Sequence, residues 1–476
     1  PVEDDHPDAA RRRTNLREYQ QVAIQAWYDH EMRGIISMAT GTGKTLVALR
    51  AAEMLSKDGW TTLVAVPTRI LQDQWIAAIK DVIPGARVIG CSSQFSGWEH
   101  FLHDALNASR LAYSLGKTDV KPLFVVATLA TAHKSEFKRI VYDNWELERL
   151  FIIVDEVHRA GSDMYSHVFD LKAYARMGLS ATPKRDWDPE GWSKILDYFG
   201  NVVYEYTLAQ AVHDGWLSEY EYYVHFETLL PNEQSQYKKL YASTQRTLAS
   251  LLSRYPAAKS IPALLHQMEM SGTLEDRELG RALQSLLIRR ARILKQASKK
   301  ISRAVDIIDE QDFESCIVYC DDTEQLERIA RECEQHGQSI GMYHSGLSSE
   351  ERLLVMKHFE EGHTRILLAI RCLDEGVDIP RTEGAIMVAS DRSKRQFIQR
   401  RGRLLRPYKD KVARIHDIFI MPFEIDECPT VLSDIERAII EVELSRALTF
   451  AQNARNHLQL IPTLNRLVRL VRETNE

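Results

Sequence analysis

The sequence predicts an α/β protein built as two tandem lobes, each a parallel β-sheet wrapped by helices, with a helical insertion between them and helices at the C-terminus. Three observations predict it. Short apolar, β-branched runs alternate with stretches of helical period. The runs fall into two groups, one on either side of a polar segment without strand character. Their apolar character is nearly continuous rather than alternating, as expected of strands covered on both faces.

In chain order, the first group is Gly34–Met38, Thr61–Val66, Leu123–Thr128, Phe151–Val154 and Arg176–Ser180. The second is Ser315–Cys320, Ser339–His344, Arg365–Ile370, Ala385–Ala389 and Arg414–Ile420. Between the groups Pro231, Pro256 and Pro262 punctuate a polar helical stretch, and from Ile425 the pattern is helical again, ending in Leu464–Arg472. The expected organisation is a tail over 1–15, a first lobe over 16–230, a helical insertion over 231–312, a second lobe over 313–424 and a C-terminal helical element over 425–476.

A chain of 476 residues, 44% of them hydrophobic, suffices for more than one core. The net charge of −6 does not announce a nucleic-acid partner, so local basic patches and backbone N–H groups would have to hold one. Six cysteines are scattered. Cys316 and Cys320 lie roughly 13 Å apart along one expected strand, beyond disulfide reach, so free thiols in a reducing cytoplasm or nucleoid are expected. No apolar run approaches a membrane span, no signal peptide precedes the first structured segment, and no membrane partner is expected. The start at Pro1 rather than Met makes a piece of a longer chain the expectation.

The sharpest signal is Ile35-Ile36-Ser37-Met38-Ala39-Thr40-Gly41-Thr42-Gly43-Lys44-Thr45, an apolar strand feeding a small-residue loop that ends Gly-Lys-Thr and opens a helix. That is the context of a P-loop. Gly41 and Gly43 let the backbone of Thr40, Thr42 and their neighbours curl so that N–H groups face a phosphate, and the helix N-terminus adds partial positive charge. Lys44 is expected to reach the β- and γ-phosphates of ATP, and the Thr45 hydroxyl to ligate Mg²⁺. The general pattern begins with Gly, where Met38 stands here. A second buried run ends in an acidic pair, Phe151-Ile152-Ile153-Val154-Asp155-Glu156-Val157-His158. Asp155 would hold Mg²⁺ and Glu156 would orient and deprotonate the attacking water. His158 would sense the γ-phosphate or bridge to the next lobe.

Taken together these segments resemble the superfamily 2 helicases, whose remaining motifs follow in order. The resemblance implies two tandem RecA-like P-loop domains, with ATP and nucleic acid bound across their cleft. Leu16-Arg17-Glu18-Tyr19-Gln20 resembles the segment before the P-loop, whose glutamine, here Gln20, reads the adenine edge. Arg17 lies in the same nucleotide-binding segment. Gly178-Leu179-Ser180-Ala181-Thr182-Pro183 looks like the Ser-Ala-Thr segment that couples hydrolysis to lobe movement through Ser180 and Thr182. Asp374-Glu375-Gly376-Val377-Asp378-Ile379-Pro380 resembles motif V, with Gly376 and Asp378 at the nucleotide. Gln396–Pro407 resembles motif VI, in which Gln399 helps to position nucleotide or water and Arg403 and Arg406 are the arginine fingers. His158, Gln399 and the absence of Thr at Ile370 set the chain apart from the RNA-remodelling DEAD-box branch. The pattern is closest to the branch that holds the translocase of TFIIH type and the motor subunits of type I and III restriction systems.

Other residues would line a nucleic-acid path. Pro67–Trp75 resembles motif Ia, where Thr68 and Arg69 donate to phosphate; Thr128 and His344 stand at equivalent strand ends. Each of them also has the plain reading of a capping group. Arg292, Lys295, Lys299 and Arg303 form either a phosphate-tracking stripe or a solvated helix face, and Trp187 and Trp192 either a strand-separating wedge or core packing. The expected activity is ATP-dependent translocation on duplex or single-stranded DNA, as the motor part of a repair or defence complex with further subunits. An RNA helicase, or an ATP-gated nucleic-acid-binding switch without processive movement, are the alternatives.

Overall fold

The structure is a computed structural model that describes residues 15–115, 121–144, 149–183, 188–258, 261–370, 381–389, 404–408, 411–421 and 434–473. Its contacts divide the chain into two units, with the main break between Ser218 and Glu219.

The first unit holds a seven-stranded sheet of β1 (Arg33–Met38), β2 (Thr61–Val66), β3 (Arg87–Cys91), β4 (Leu123–Thr128), β5 (Leu150–Val154), β6 (Ala175–Ser180) and β7 (Val202–Tyr206), in the order β3-β4-β2-β5-β6-β1-β7. Every pairing is parallel. The central strands β2, β4 and β5 are buried along their whole length, which explains their unbroken apolar runs. Three helices matter for the site: α1 (Glu18–Asp29), α2 (Lys44–Ser56) and α3 (Arg69–Val82). Buried Tyr19, Ala23, Ile24 and Trp27 define one face of α1 at helical spacing. The Trp27 indole, fully buried, donates to the Arg176 carbonyl at 2.9 Å and ties α1 to β6.

The second unit holds a six-stranded sheet of β8 (Tyr220–Thr228), β9 (Cys316–Tyr319), β10 (Ile340–Tyr343), β11 (Ile366–Ala369), β12 (Gly384–Met387) and β13 (Ala413–Met421), in the order β10-β11-β9-β12-β13-β8. It too is parallel throughout. The first lobe, expected to extend to residue 230, gives up its last strand: β8 pairs with β13 from Tyr220–Ala413 to Thr228–Met421 and closes the edge of this second sheet. Strands β3, β7 and β8 were not anticipated. All three lie at sheet edges, where partial exposure breaks the apolar run that identified the others.

The polar stretch folds as α4 (Pro231–Arg254), α5 (Ile261–Ser271), α6 (Leu274–Lys295) and α7 (Ser298–Gln311). Leu251, Leu264, Met268 and Leu283 give α4, α5 and α6 a small core of their own. Helix α7 departs from the expected insertion over 231–312: its Ile301, Ala304, Val305, Ile307 and Ile308 enter the core of the second sheet. The basic stripe is likewise divided. Non-helical Ala297 (ψ 129°) breaks the helix between Lys295 and Lys299, so the four cations do not share a helix. Each has a partner: Arg292 pairs with Glu324 at 2.7 Å, Lys295 with Asp321 at 3.0 Å and Arg303 with Glu310 at 3.1 Å, while Lys299 donates to the Thr228 hydroxyl at 2.8 Å.

Helices α8 (Asp434–Ala451) and α9 (His457–Glu473) form the C-terminal element. The link between them covers the free edge of β8: Asn456 accepts from the Tyr222 N–H at 3.1 Å and donates to its carbonyl at 2.9 Å, and the Arg455 N–H donates to the Tyr220 carbonyl at 2.8 Å. Among the described residues no helix is long and apolar enough to cross a membrane.

Two imidazoles meet across β8 and β13, His225 Nε2 lying 3.0 Å from His416 Nδ1. Burial first, then a nearby cation, pushes the His225 ring down to about 4; burial and the facing His225 push His416 down to about 3. Because both folded values lie below the unfolded value of about 6.5, the unfolded chain binds more protons between these limits. Stability contributed by the pair is therefore complete above about pH 6.5 and is lost as pH falls through 4 toward 3. Denaturation midpoints measured across this range are expected to fall less steeply for His225→Gln/His416→Gln than for the wild type. An identical slope would assign the acid sensitivity to other groups.

Candidate functional site

Parallel strands put the ends of β1 to β6 on one edge of the first sheet, and the candidate residues sit there. The loop after β1 turns through left-handed backbone at Gly41 (φ 90°) and Gly43 (φ 86°), conformations that disfavour a side chain. A Cβ at Gly43 would also collide with the Gln20 amide. The loop is pinned from α1. Gln20 Nε2 donates to the Thr42 carbonyl at 3.0 Å, and the Tyr19 hydroxyl donates to the same oxygen at 2.8 Å. Gln20 Oε1 accepts from the Arg17 N–H at 2.9 Å, so this amide, only 2% exposed, braces the loop and leaves one Nε2 hydrogen for a further acceptor. From inside, the Thr42 hydroxyl donates to the Ala39 carbonyl at 2.7 Å. Lys44 opens α2 and reaches back to the Met38 carbonyl at 3.0 Å, which keeps its ammonium over the loop.

The acidic pair follows β5, the next strand but one in the sheet. Asp155 is anchored through its N–H to the Ala65 carbonyl at 3.0 Å. Its carboxylate accepts from the Trp75 indole at 2.9 Å and from the Glu156 N–H at 2.9 Å. Trp75 is buried on α3, and nothing in the sequence marked it as the partner that orients Asp155. Glu156 is left-handed at φ 46°, a strained conformation for a non-glycine residue that turns the chain directly after the strand. His158, buried, lies with Nδ1 3.4 Å from Glu156 Oε2 and 3.1 Å from the Ser180 hydroxyl. That hydroxyl also accepts from the Thr182 N–H at 3.1 Å. The expected coupling residues His158, Ser180 and Thr182 are thus brought together, within one unit, in a polar chain that starts at Glu156.

These residues fit a magnesium–nucleoside triphosphate. The Thr40 hydroxyl is buried at the loop without a hydrogen-bond partner, the glycine curl at Gly43 leaves no room for a side chain, and a cation and an oriented carboxylate stand at the same edge of the sheet, two strands apart. Thr45 follows Lys44 in the first turn of α2.

The expected nucleic-acid contacts are more modest. The Thr68 hydroxyl caps α3 by accepting from the Leu71 N–H at 3.4 Å, and the Arg69 guanidinium donates to the Ser93 hydroxyl beyond β3. Thr128 is buried and donates to the Thr131 hydroxyl at 3.1 Å. In the second unit His344 Nδ1 accepts from the Gly346 N–H at 3.2 Å at the end of β10. Trp192 packs partly buried against the first core. Gly376, Asp378, Gln399, Arg403 and Trp187 lie outside the described residues. Arg406 is described, and burial lowers its pKa below the usual guanidinium value. By contacts Leu404–Pro407 group with the first unit, where the Ser218 N–H donates to the Leu405 carbonyl at 2.7 Å.

Comparison with known proteins gives this arrangement a family. A family model described as the type III restriction enzyme, res subunit, matches residues 13–185, and one described as the helicase conserved C-terminal domain matches residues 299–408. The DNA 3'-5' translocase XPB2 of Sulfurisphaera tokodaii is 29% identical over 413 residues, 85% of this chain and 81% of that protein. A putative DNA 3'-5' helicase Rad25 of Halobacterium salinarum is 26% identical over 86% of this chain and 56% of its own length. Among solved structures, the type ISP restriction-modification enzyme LlaBIII bound to DNA aligns with a TM-score of 0.60 at 18% identity, covering 91% of this chain and 30% of that one. The Pyrococcus furiosus Hef helicase domain aligns with a TM-score of 0.53 at 19% identity, covering 85% and 95%. The chain thus spans most of the first relative, about half of the second and under a third of the restriction enzyme.

Two tandem RecA-like units carrying a P-loop and an Asp-Glu-Val-His strand end define an ATP-hydrolysing helicase of superfamily 2. Within that superfamily the chain is related to the XPB-like translocases and the restriction motors.

The loop geometry makes a direct prediction. Gly43→Ala places a Cβ at positive φ and against the Gln20 amide. Nucleotide affinity, measured by titration calorimetry, is expected to fall at least about tenfold, whereas the unfolding midpoint moves only slightly because the strain of about 1–2 kcal/mol is local. Unchanged affinity would mean that the curl at Gly43 is not needed for binding.

Proposed function

We propose that this chain is an ATP-driven DNA translocase, the motor part of a repair or defence complex, working in the cytoplasm or on nucleoid DNA. The observation that carries the reading is the polar chain Glu156–His158–Ser180–Thr182, which links the acidic pair to the Ser-Ala-Thr segment and so provides a path from hydrolysis to movement. DNA is favoured over RNA because the relatives named above are DNA translocases and helicases.

Loop N–H groups of Thr40 to Lys44 and the Lys44 ammonium bind the phosphates of ATP. Mg²⁺, held by Thr45 and through water by Asp155, would neutralise charge on the β- and γ-phosphates. The Trp75 indole keeps Asp155 in place for that task. Glu156 orients the attacking water and takes its proton, and His158, between Glu156 and Ser180, registers the change. Arg17 and Gln20 contribute to the nucleotide end of the site, as do Gly376 and Asp378. Gln399 positions nucleotide or water, and Arg403 and Arg406 stabilise the transferring phosphoryl. Thr68, Arg69, Thr128 and His344 contact the nucleic-acid backbone.

ATP turnover at matched salt is the discriminating measurement, with duplex DNA, single-stranded DNA and RNA compared. Stimulation by DNA is expected; stimulation by RNA alone would select an RNA helicase, and tight binding without repeated turnover would select an ATP-gated switch. Lys44→Ala is expected to abolish hydrolysis. Arg403→Ala and Arg406→Ala are expected to retain ATP binding while losing on the order of 10³-fold or more of the stimulated rate. Wild-type turnover in both arginine variants would remove them from the mechanism.

Arg69→Ala tests the nucleic-acid path separately. Loss of one phosphate contact is expected to weaken binding alike for unrelated sequences and to reduce the slope of log affinity against log salt by about 0.9. An unchanged slope, or loss for one sequence only, would exclude Arg69 as a backbone contact.

A further inference from the structure

Thr42 is the residue on which the phosphate loop is suspended, and its carbonyl takes both the Tyr19 and the Gln20 bonds. A carbonyl tied down toward α1 is not free to swing toward an anion, so the grip on Thr42 decides whether the loop offers donors or acceptors to a phosphate. What holds the grip comes from elsewhere in the chain. The Arg17 guanidinium donates to the Tyr19 hydroxyl at 3.1 Å and lies 3.8 Å from the centre of the Trp216 ring. Trp216 also meets the Tyr19 ring at 6.1 Å, and Tyr19 stacks on Tyr206 at 4.2 Å. Tyr206 is fixed in turn: its hydroxyl donates to Asp214 at 2.7 Å, and its carbonyl accepts from the Ala39 N–H of the phosphate loop at 2.9 Å.

Trp216 is seated by its own backbone, its N–H donating to the Ala211 carbonyl at 2.8 Å just after the left-handed turn at Gly215. The residue is nonetheless 36% exposed, with the Arg17 guanidinium set over its ring. Its face is spent on a cation.

We propose that Trp216 is a positioning residue of the ATPase: stacked on Arg17, it holds the Arg17–Tyr19 bracket that keeps the Thr42 carbonyl turned toward α1. Trp216 stands two residues before Ser218, where the chain first leaves the first unit, so the grip on the nucleotide loop is set by the segment that leads out of its main stretch. The inference rests on the reading of this loop as the ATP site.

Steady-state kinetics of the full chain with saturating DNA test it. Trp216→Ala is expected to raise KM for ATP about three- to tenfold, as for loss of one cation–π contact, while leaving kcat unchanged. Trp216→Phe is expected to restore KM, since it keeps an aromatic face. A KM of Trp216→Ala equal to wild type, or a fall in kcat at unchanged KM, would overturn the proposal. Should Trp216→Ala fail to fold, Arg17→Gln removes the same contact from the other side and is expected to raise KM likewise; a wild-type KM there overturns the proposal as well. Binding of a non-hydrolysable ATP analogue is expected to change the intrinsic fluorescence of the wild type, and the change is expected to shrink in Trp216→Phe. Identical changes would remove Trp216 from the site. A wild-type chain that does not bind ATP would instead sink the functional reading, which separates the two failures.

Discussion

The parallel direction of every strand pairing in the first sheet is the constraint on which the site depends. A parallel sheet puts all its strand C-terminal ends on one edge, and the loops that leave that edge are neighbours in space whatever their distance in sequence. Lys44 after β1, Arg69 after β2, Asp155 and Glu156 after β5 and Ser180 at the end of β6 are therefore gathered without any long loop having to reach. The cost is a core that covers both faces, met by the fully buried residues of β2, β4 and β5 and the helices against them.

Upon that frame, the chemistry is prepared by contacts that are not themselves made to phosphate or water. Trp75 orients Asp155 by a single indole donor in a buried setting, where an oriented dipole is worth more than in solvent. Tyr19 and Gln20 fix one carbonyl of the phosphate loop, and Gly43 makes room for the Gln20 amide. The strained backbone at Glu156 belongs to the same logic, because a few kcal/mol at most is repaid by a sheet that holds Asp155 immobile beside it.

The second unit solves a different problem, that of a long edge strand. Strand β8 would offer unpaired backbone groups to solvent, and the α8–α9 link covers them with Asn456 and the Arg455 N–H. Beneath this cover the Asp417 carboxylate is fully buried, accepts from the Tyr222 hydroxyl at 2.9 Å and pairs with Arg446 of α8 at 3.3 Å. Burial holds the Asp417 pKa above the usual carboxylate value. A buried pair of this kind adds little net stability but penalises any arrangement that separates it, so it specifies where the C-terminal helices dock.

By itself the sequence determined what is contiguous and chemically singular. The Gly-Thr-Gly-Lys-Thr loop after an apolar strand, the Asp-Glu pair after another, and the strands covered on both faces are each written within about a dozen residues, because local backbone demands and two-sided burial act at that range. The tertiary structure alone decided the rest. Edge strands β3, β7 and β8 lack an unbroken apolar run, and β8 joined the second sheet because its partner β13 lies far along the chain. Trp75 and Asp155 are 80 residues apart, and Trp216 meets Arg17 across nearly the whole first unit. Which side chain meets which over such separations depends on the packing of intervening elements, and no local pattern records it.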